Sequence, residues 1–146
     1  MHATANTLAS LDLIDPIADA LAGPGWIVLE NVVAPQQCAA LADEIRGEFA
    51  GGDFHRAGIG KSGALQVVSE VRGDHVHWLE HANAAPLQRD WLGWLDELSS
   101  GLNRTLYLGL QEFEGHAAIY PPGSFYKTHL DQFRGTSERS VTAILY

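Results

Sequence analysis

The sharpest chemical signal in this 146-residue chain is His129-Leu130-Asp131, inside the run YKTHLDQF. Residues i and i+2 of a strand share a face, so the imidazole of His129 and the carboxylate of Asp131 can converge on one ion. A neutral nitrogen and an anionic oxygen, with coordination positions left open, suit non-haem Fe(II) in a two-His-one-carboxylate site. The open positions would admit a co-substrate and O₂. His-x-Asp alone recurs in many unrelated surface pairs. The setting adds weight: a Pro121-Pro122-Gly123 turn precedes the pair, Tyr120, Phe125 and Tyr126 lie beside it, and a further apolar stretch follows.

The elements that must position this pair fall into two groups. Asp15-Pro16 and Gly23 bracket a short helix around IADALA, with Asp as cap and Pro at the first helical position. Trp26-Ile27-Val28-Leu29 reads as a strand. Pro35 opens a helix with Cys38, Leu41, Ala42, Ile45 and Phe49 at a period near 3.6, a stripe that needs a core to cover it. Residues 50–64 hold five of the 15 glycines and read as a loop. Residues 67–71 read as a strand, and Pro86 opens a third helix with Leu87, Trp91, Trp94, Leu95, Leu98 and Leu102 on one stripe. Beyond Tyr107 the period changes to two. QEFEGHAAIY, FYKTHLD and SVTAILY read as strands, separated by turns at Pro121-Pro122-Gly123 and Arg134-Gly135.

Helices first and antiparallel strands afterwards imply an α+β domain. One domain is expected over 1–146, with 1–106 mainly helical support, a finger loop at 50–80, and 107–146 supplying the first core strands. The sequence stops inside the apolar run Ser140–Tyr146. An unpaired apolar strand is an aggregation-prone end, so the chain is expected to be the first two thirds of a longer domain.

Composition limits the function classes. Acidic residues outnumber basic ones 18 to 9, for a net charge of −9. Neutralising phosphates takes clustered Lys and Arg, so neither nucleic acid nor an anionic membrane is an expected partner. The single cysteine, Cys38, rules out a disulfide framework and reads as a buried small hydrophobe. No signal peptide or membrane-length apolar run is evident, which implies a cytoplasmic protein.

Other local patterns are weaker. Gly58-Ile-Gly60-Lys61-Ser62 imitates the tail of a phosphate-binding loop, but His55 stands where the pattern needs its first glycine. His75, His77 and His81 could hold zinc or nickel, yet no acidic or cysteine partner is clearly placed, and an exposed polar strand edge explains them as well. His55 and His116 read as surface or core residues. Trp91, Trp94, Leu95 and Leu98 suit a core-facing helix better than a partner-binding one. Asn103-Arg104-Thr105 is a glycosylation sequon only in a secreted protein.

The run AIYPPGSFYKTHLDQFRG…ERSVTAILY resembles the core of the Fe(II)/2-oxoglutarate-dependent prolyl hydroxylases of the oxygen-sensor type. EVRGDHVHWLE resembles the Arg-x-Asp-x-x-x-Trp segment that this group carries before its central helix. The resemblance covers about residues 65–146. It implies a double-stranded β-helix (jelly-roll, cupin-like) core backed by the N-terminal helices, with only the first strands present. It implies Fe(II), 2-oxoglutarate and O₂, with ascorbate as reductant, and a proline-containing protein or peptide as substrate. His129 and Asp131 would be the first two iron ligands, with no catalytic residue beyond the ligands. Tyr120, Tyr126, Ile144 and Tyr146 would surround 2-oxoglutarate, the Tyr146 hydroxyl on its distal carboxylate. Arg139 would lie near the peptide, and Arg72 with Asp74 would belong to a mobile loop that closes on it. Tyr126 is three residues before His129, so in a regular strand it faces away from the metal; only a bend brings it round. The family's distal His ligand and its Arg for the co-substrate come on later strands. Without them the chain is expected to be inactive as given, the parent protein being the oxygenase. The alternative is a degenerate, non-catalytic module that binds peptide through the Arg72–Asp74 loop and an Arg134/Arg139 rim.

Overall fold

The computed structural model describes residues 13–58, 67–68, 70–131 and 139–146. Gly60-Lys61-Ser62, the Arg134-Gly135 turn and Ser69 lie outside the described residues. The elements run α1 (Ile14–Ala22), α2 (Pro35–Gly51), β1 (His55–Arg56), β2 (His75–Leu79), α3 (Pro86–Leu106) and β3 (Gly115–Ile119). This is an α+β arrangement. Contacts divide the chain into two compact units: residues 1–51 with 79–115, and 52–78 with 116–146. No described helix is long and apolar enough to cross a membrane.

The first unit is helical, and α3 packs on both α1 and α2. α1 begins one residue before Asp15, which occupies the first turn while Leu13 takes the N-cap position; Gly23 closes the helix by donating to Asp19 O at 3.0 Å. α3 starts at Pro86, as its sequence demands, and ends with Tyr107 in the left-handed region (φ 55°). Its buried positions are Gln88, Leu92, Leu98, Gly101 and Leu102. The core stripe is thus rotated from the one expected, and Trp91 and Trp94 stack on each other at 4.9 Å, half-buried, beside it. Gln88 can occupy a core position because its amide is satisfied: Nε2 donates to Glu48 Oε1 at 2.7 Å and Oε1 accepts from Ala85 N at 3.2 Å. The stripe expected on α2 is covered only in part. No α2 residue is fully buried, and Cys38 is half-buried with its Sγ 3.7 Å from Val33 O.

Gly101 marks the close approach of α1 to α3. A Cβ there would come within 2.4 Å of Ile14 Cδ1 and 2.7 Å of Ile14 Cγ2. Overpacking costs about 1–3 kcal/mol, against roughly 1 kcal/mol gained in helix propensity. Gly101→Ala is therefore expected to lower stability to urea, and an unchanged or raised midpoint would contradict this packing.

The second unit carries a three-stranded sheet ordered β1-β2-β3. β1 and β2 are antiparallel, with His55 opposite Val76 and Arg56 opposite His75, and Ala57 N extends the pairing to Asp74 O at 3.0 Å. On β2 the buried Val76 alternates with half-buried His75 and His77, so these histidines are not an exposed edge. His77 has Phe54 at 5.5 Å and its Nδ1 3.0 Å from Asp53 O.

Several expected strands do not form ladders. In place of the strand expected at 67–71, Glu70 and Val71 are in a turn, with Val71 N and Arg72 N both donating to Val68 O. Trp26–Leu29 and 141–146 have no strand assignment, and of FYKTHLD only Tyr126 makes an isolated bridge, to Arg72. A strand exists through its partner's hydrogen bonds rather than through its own apolar pattern. Among the described residues neither Trp26–Leu29 nor 141–146 forms a ladder, and Trp26, Val28 and Ile144 are each more than half exposed.

Candidate metal-binding site

The turn read at Pro121-Pro122-Gly123 is present: Gly123 has φ 81°, and Ser124 N donates to Pro121 O at 2.9 Å. This is the backbone that a Pro-Gly pair at the centre of a type II turn favours. The turn aims residues 125–131 back along residues 71–73. Gly73 N donates to Phe125 O and Lys127 N to Val71 O, each at 2.9 Å. Only glycine fits at position 73, because a Cβ would lie 2.9 Å from Ser124 Cβ.

After Lys127 no ladder continues, and that break decides where the side chains go. His129 and Tyr126 would point to opposite faces of a regular strand, yet their rings stack at 3.7 Å between centroids, 23° from parallel. The bend that Tyr126 needs is present. His129 Nε2 lies 3.3 Å from Asp131 Oδ1, so the imidazole and carboxylate do converge.

The hydrogen bonds around the pair define its chemistry. His129 Nδ1 lies 2.7 Å from Lys127 O, an acceptor, so in the neutral ring the proton sits on Nδ1 and Nε2 offers its lone pair toward Asp131. Asp131 Oδ2 accepts from Thr142 Oγ1 at 2.6 Å, and Asp131 O accepts from Arg139 NH1 at 3.3 Å. Nε2 and Oδ1 are then two acceptors facing each other, a contact satisfied by a proton or a metal ion between them. Metal–N and metal–O bonds of about 2.0–2.2 Å place neighbouring ligands about 3 Å apart, which matches the separation. The donor set fits a divalent transition metal, and Lys127 O and Thr142 Oγ1 supply the hydrogen bonds that orient such an imidazole and carboxylate. Among the described residues no group of three or more His, Cys, Asp or Glu side chains gathers as a metal site. His75, His77 and His81 therefore form no such cluster, and His81 instead meets Asp96 at 2.9 Å.

Beside the pair lies a buried ion pair. Asp74 is 1% exposed, and Arg72 donates to it through two nitrogens, Nε to Oδ1 at 2.8 Å and NH2 to Oδ2 at 2.5 Å. Burial alone would raise the Asp74 carboxyl, but the hydrogen bond and positive charge of Arg72 outweigh it and hold the group below the usual carboxylate range. Arg72 also donates to Gly58 O at 3.4 Å and places its guanidinium 4.1 Å from the centre of the Tyr126 ring. The two charges expected at a peptide-binding loop thus meet each other, and Asp74 presents no free oxygen to solvent.

The remaining expected residues are more open. Tyr120 is 48% and Ile144 64% exposed, and Tyr146 is fully exposed. Partial burial and the Asp74 carboxylate raise the Tyr120 phenol above its ordinary pKa, against the opposing pull of the Arg72 charge. His116, on β3, lies edge-on to Trp78 at 5.1 Å; desolvation and then the Arg72 charge lower its pKa. Thr142, which hydrogen-bonds the Asp131 carboxylate, is a residue of this site that sequence reasoning missed. Its position in SVTAILY gave no signal, because its partner Asp131 lies eleven residues away.

No protein-family model matches the chain, and no curated protein sequence matches it significantly. Among solved structures it is similar to a Pseudomonas putida prolyl-4-hydroxylase, with a TM-score of 0.75 and 34% identity over 82% of this chain. The chain spans 62% of that enzyme's length. Its fold is therefore prolyl-hydroxylase-like.

Proposed function

We propose that this chain carries the iron- and co-substrate-binding part of an Fe(II)/2-oxoglutarate-dependent dioxygenase domain that hydroxylates a prolyl residue of a protein or peptide. The observation that carries the reading is the convergence of His129 Nε2 and Asp131 Oδ1 at 3.3 Å, in a fold similar to a prolyl-4-hydroxylase. His129 and Asp131 would hold the iron. Bound there with 2-oxoglutarate and O₂, and kept reduced by ascorbate, Fe(II) supplies the oxidising chemistry that hydroxylates the ring, with succinate and CO₂ as products.

The chain's own residues bind and orient. Lys127 O holds the proton on His129 Nδ1, keeping Nε2 free to ligate, and Thr142 fixes the rotamer of Asp131. Tyr120, Tyr126, Ile144 and Tyr146 would border the 2-oxoglutarate site, with the Tyr146 hydroxyl donating to the distal carboxylate. Arg139 would sit at the peptide side, tied by its bond to Asp131 O. Arg72 and Asp74 would shape the loop that meets the peptide, as a paired unit rather than as two free charges. A double-stranded β-helix core and a cytoplasmic location belong to the same reading.

Two protein donors hold a metal less firmly than three, so the 146-residue polypeptide by itself is expected to bind Fe(II) weakly and turn over slowly if at all. Anaerobic titration with Fe(II) and 2-oxoglutarate tests the reading without requiring turnover. 2-Oxoglutarate is expected to bind only when Fe(II) is present, and His129→Ala to abolish that binding. Binding that ignores Fe(II), or that survives His129→Ala, would remove the metal site. Peptide binding with no metal dependence would then favour the non-catalytic module.

A further inference from the structure

His129 sits on a stretch that no ladder holds. Residues 127–130 have no strand assignment, and the His129 side chain is 40% exposed. Strand parity therefore cannot aim its ring, and one hydrogen bond from Nδ1 leaves the plane free to rock about that bond. Something else must hold the ring, and the structure shows what packs on its face. Tyr126 covers it at 3.7 Å, the Arg72 guanidinium lies 4.1 Å from the Tyr126 ring centre, and Asp74 grips that guanidinium through two nitrogens. We propose that Asp74, Arg72 and Tyr126 form a positioning column that sets the plane of the His129 imidazole toward Asp131.

The column is anchored at its far end. Asp74 is 1% exposed, and Ala57 N donates to its carbonyl at 3.0 Å, so the carboxylate stands on sheet backbone. A bidentate carboxylate fixes the guanidinium plane as well as its charge, which a lysine could not do. Arg72 and Tyr126 form a bridge pair flanked by the Gly73–Phe125 and Val71–Lys127 bonds, and residues paired across such a bridge present their side chains on the same face. A flat cation on one face of Tyr126 and an imidazole on the other restrict the phenol ring from both sides. Each link is a planar group held by the one before it, and the first is buried. These three are positioning residues, since they act on the ion only through His129. The role extends the metal-ligand reading of His129 and rests on it.

Two readouts on the full chain test the column, one of them independent of metal. Ring-current shielding from Tyr126 is expected to move the His129 ring protons upfield in the metal-free protein. Tyr126→Phe is expected to keep that displacement and hold Mn(II) affinity within about 2-fold, because the stacked ring is retained. Tyr126→Leu is expected to abolish the displacement and weaken Mn(II) binding about 10-fold or more, the cost of losing a contact that orients a ligand. Arg72→Lys, which keeps the charge but loses the planar fork, is expected to fall between them. Thermal unfolding of each variant separates loss of aim from loss of fold, and Tyr126→Leu is the variant least exposed to that problem because Asp74 and Arg72 stay paired. An unshifted His129 in the starting chain, or Mn(II) affinity unchanged in a folded Tyr126→Leu, would overturn the column. A starting chain that binds no Mn(II) yet loses its upfield displacement in Tyr126→Leu would keep the stack and overturn the metal reading instead.

Discussion

On the proposed reading, Asp131→Ala is expected to reduce Fe(II) affinity by more than about 100-fold, since losing a hydrogen bond that orients a ligand costs about 10–100-fold and this change would remove a ligand itself. Asp131 would contribute the anionic donor, and the Thr142 hydroxyl and the Arg139 bond to its carbonyl hold the segment that bears it. With the carboxylate gone, His129 Nε2 is left as a single imidazole donor among the described residues near this point. Under the proposed function, 2-oxoglutarate-dependent succinate release should vanish together with metal binding. Binding of a proline-containing peptide should persist, because Asp131 is not expected to contact it. Isothermal titration with Fe(II) under argon reads the first effect and peptide titration the second. Retention of Fe(II) affinity within a few-fold would mean that Asp131 is not a ligand. A parallel loss of peptide binding would point to a folding defect, which thermal unfolding of the variant would show.

The largest expected effect on stability comes from Asp74→Ala. Removing one partner of a buried ion pair costs about 3–5 kcal/mol, mostly because the other charge is left uncompensated. Here the Asp74 side chain is 0% and the Arg72 side chain 13% exposed, so solvent screens the stranded guanidinium little. Urea unfolding should show a loss of that order, and one below about 1 kcal/mol would place the pair among surface ion pairs. A pH dependence follows, and its sign is fixed by the lowered carboxyl of Asp74. In the unfolded chain the carboxyl titrates near 3.9, above its value in the fold. The pair's contribution is therefore complete above about pH 5 and is lost as pH falls through the lowered folded value. Arg72, raised by its hydrogen bond to Asp74, stays charged throughout and adds no slope in this window. Asp74→Asn should flatten the acid limb of the stability curve, and an unchanged limb would contradict the linkage.

The parts of this protein legible in its sequence are those that depend on near neighbours. Pro35 and Pro86 start α2 and α3 where they stand, because a missing N–H and a fixed φ cost nothing in a helix's first turn. Pro122-Gly123 makes its turn because glycine alone takes φ 81° without strain. His129 and Asp131 meet because two residues of spacing keep them within reach even where the strand expected to carry them is only a bend.

Features that depend on distant segments were decided by the tertiary structure. Trp26–Leu29 and 141–146 have the apolar pattern of strands but no ladder among the described residues, since a strand's hydrogen bonds belong half to another segment. α3 buries Leu92 and Gln88 rather than the Trp91–Trp94 side, because Glu48 of α2 satisfies the Gln88 amide and makes a polar group affordable in the core. Arg72 and Asp74, two residues apart, read as an open peptide-facing loop. In the fold they close on each other, and Tyr126, fifty-four residues beyond Arg72, stacks on their guanidinium. Residue types and spacing determined that an imidazole and a carboxylate could share an ion. Which ring packs on that imidazole depended on a long-range bridge within the chain and a break in the strand, and neither leaves a periodic trace in the sequence.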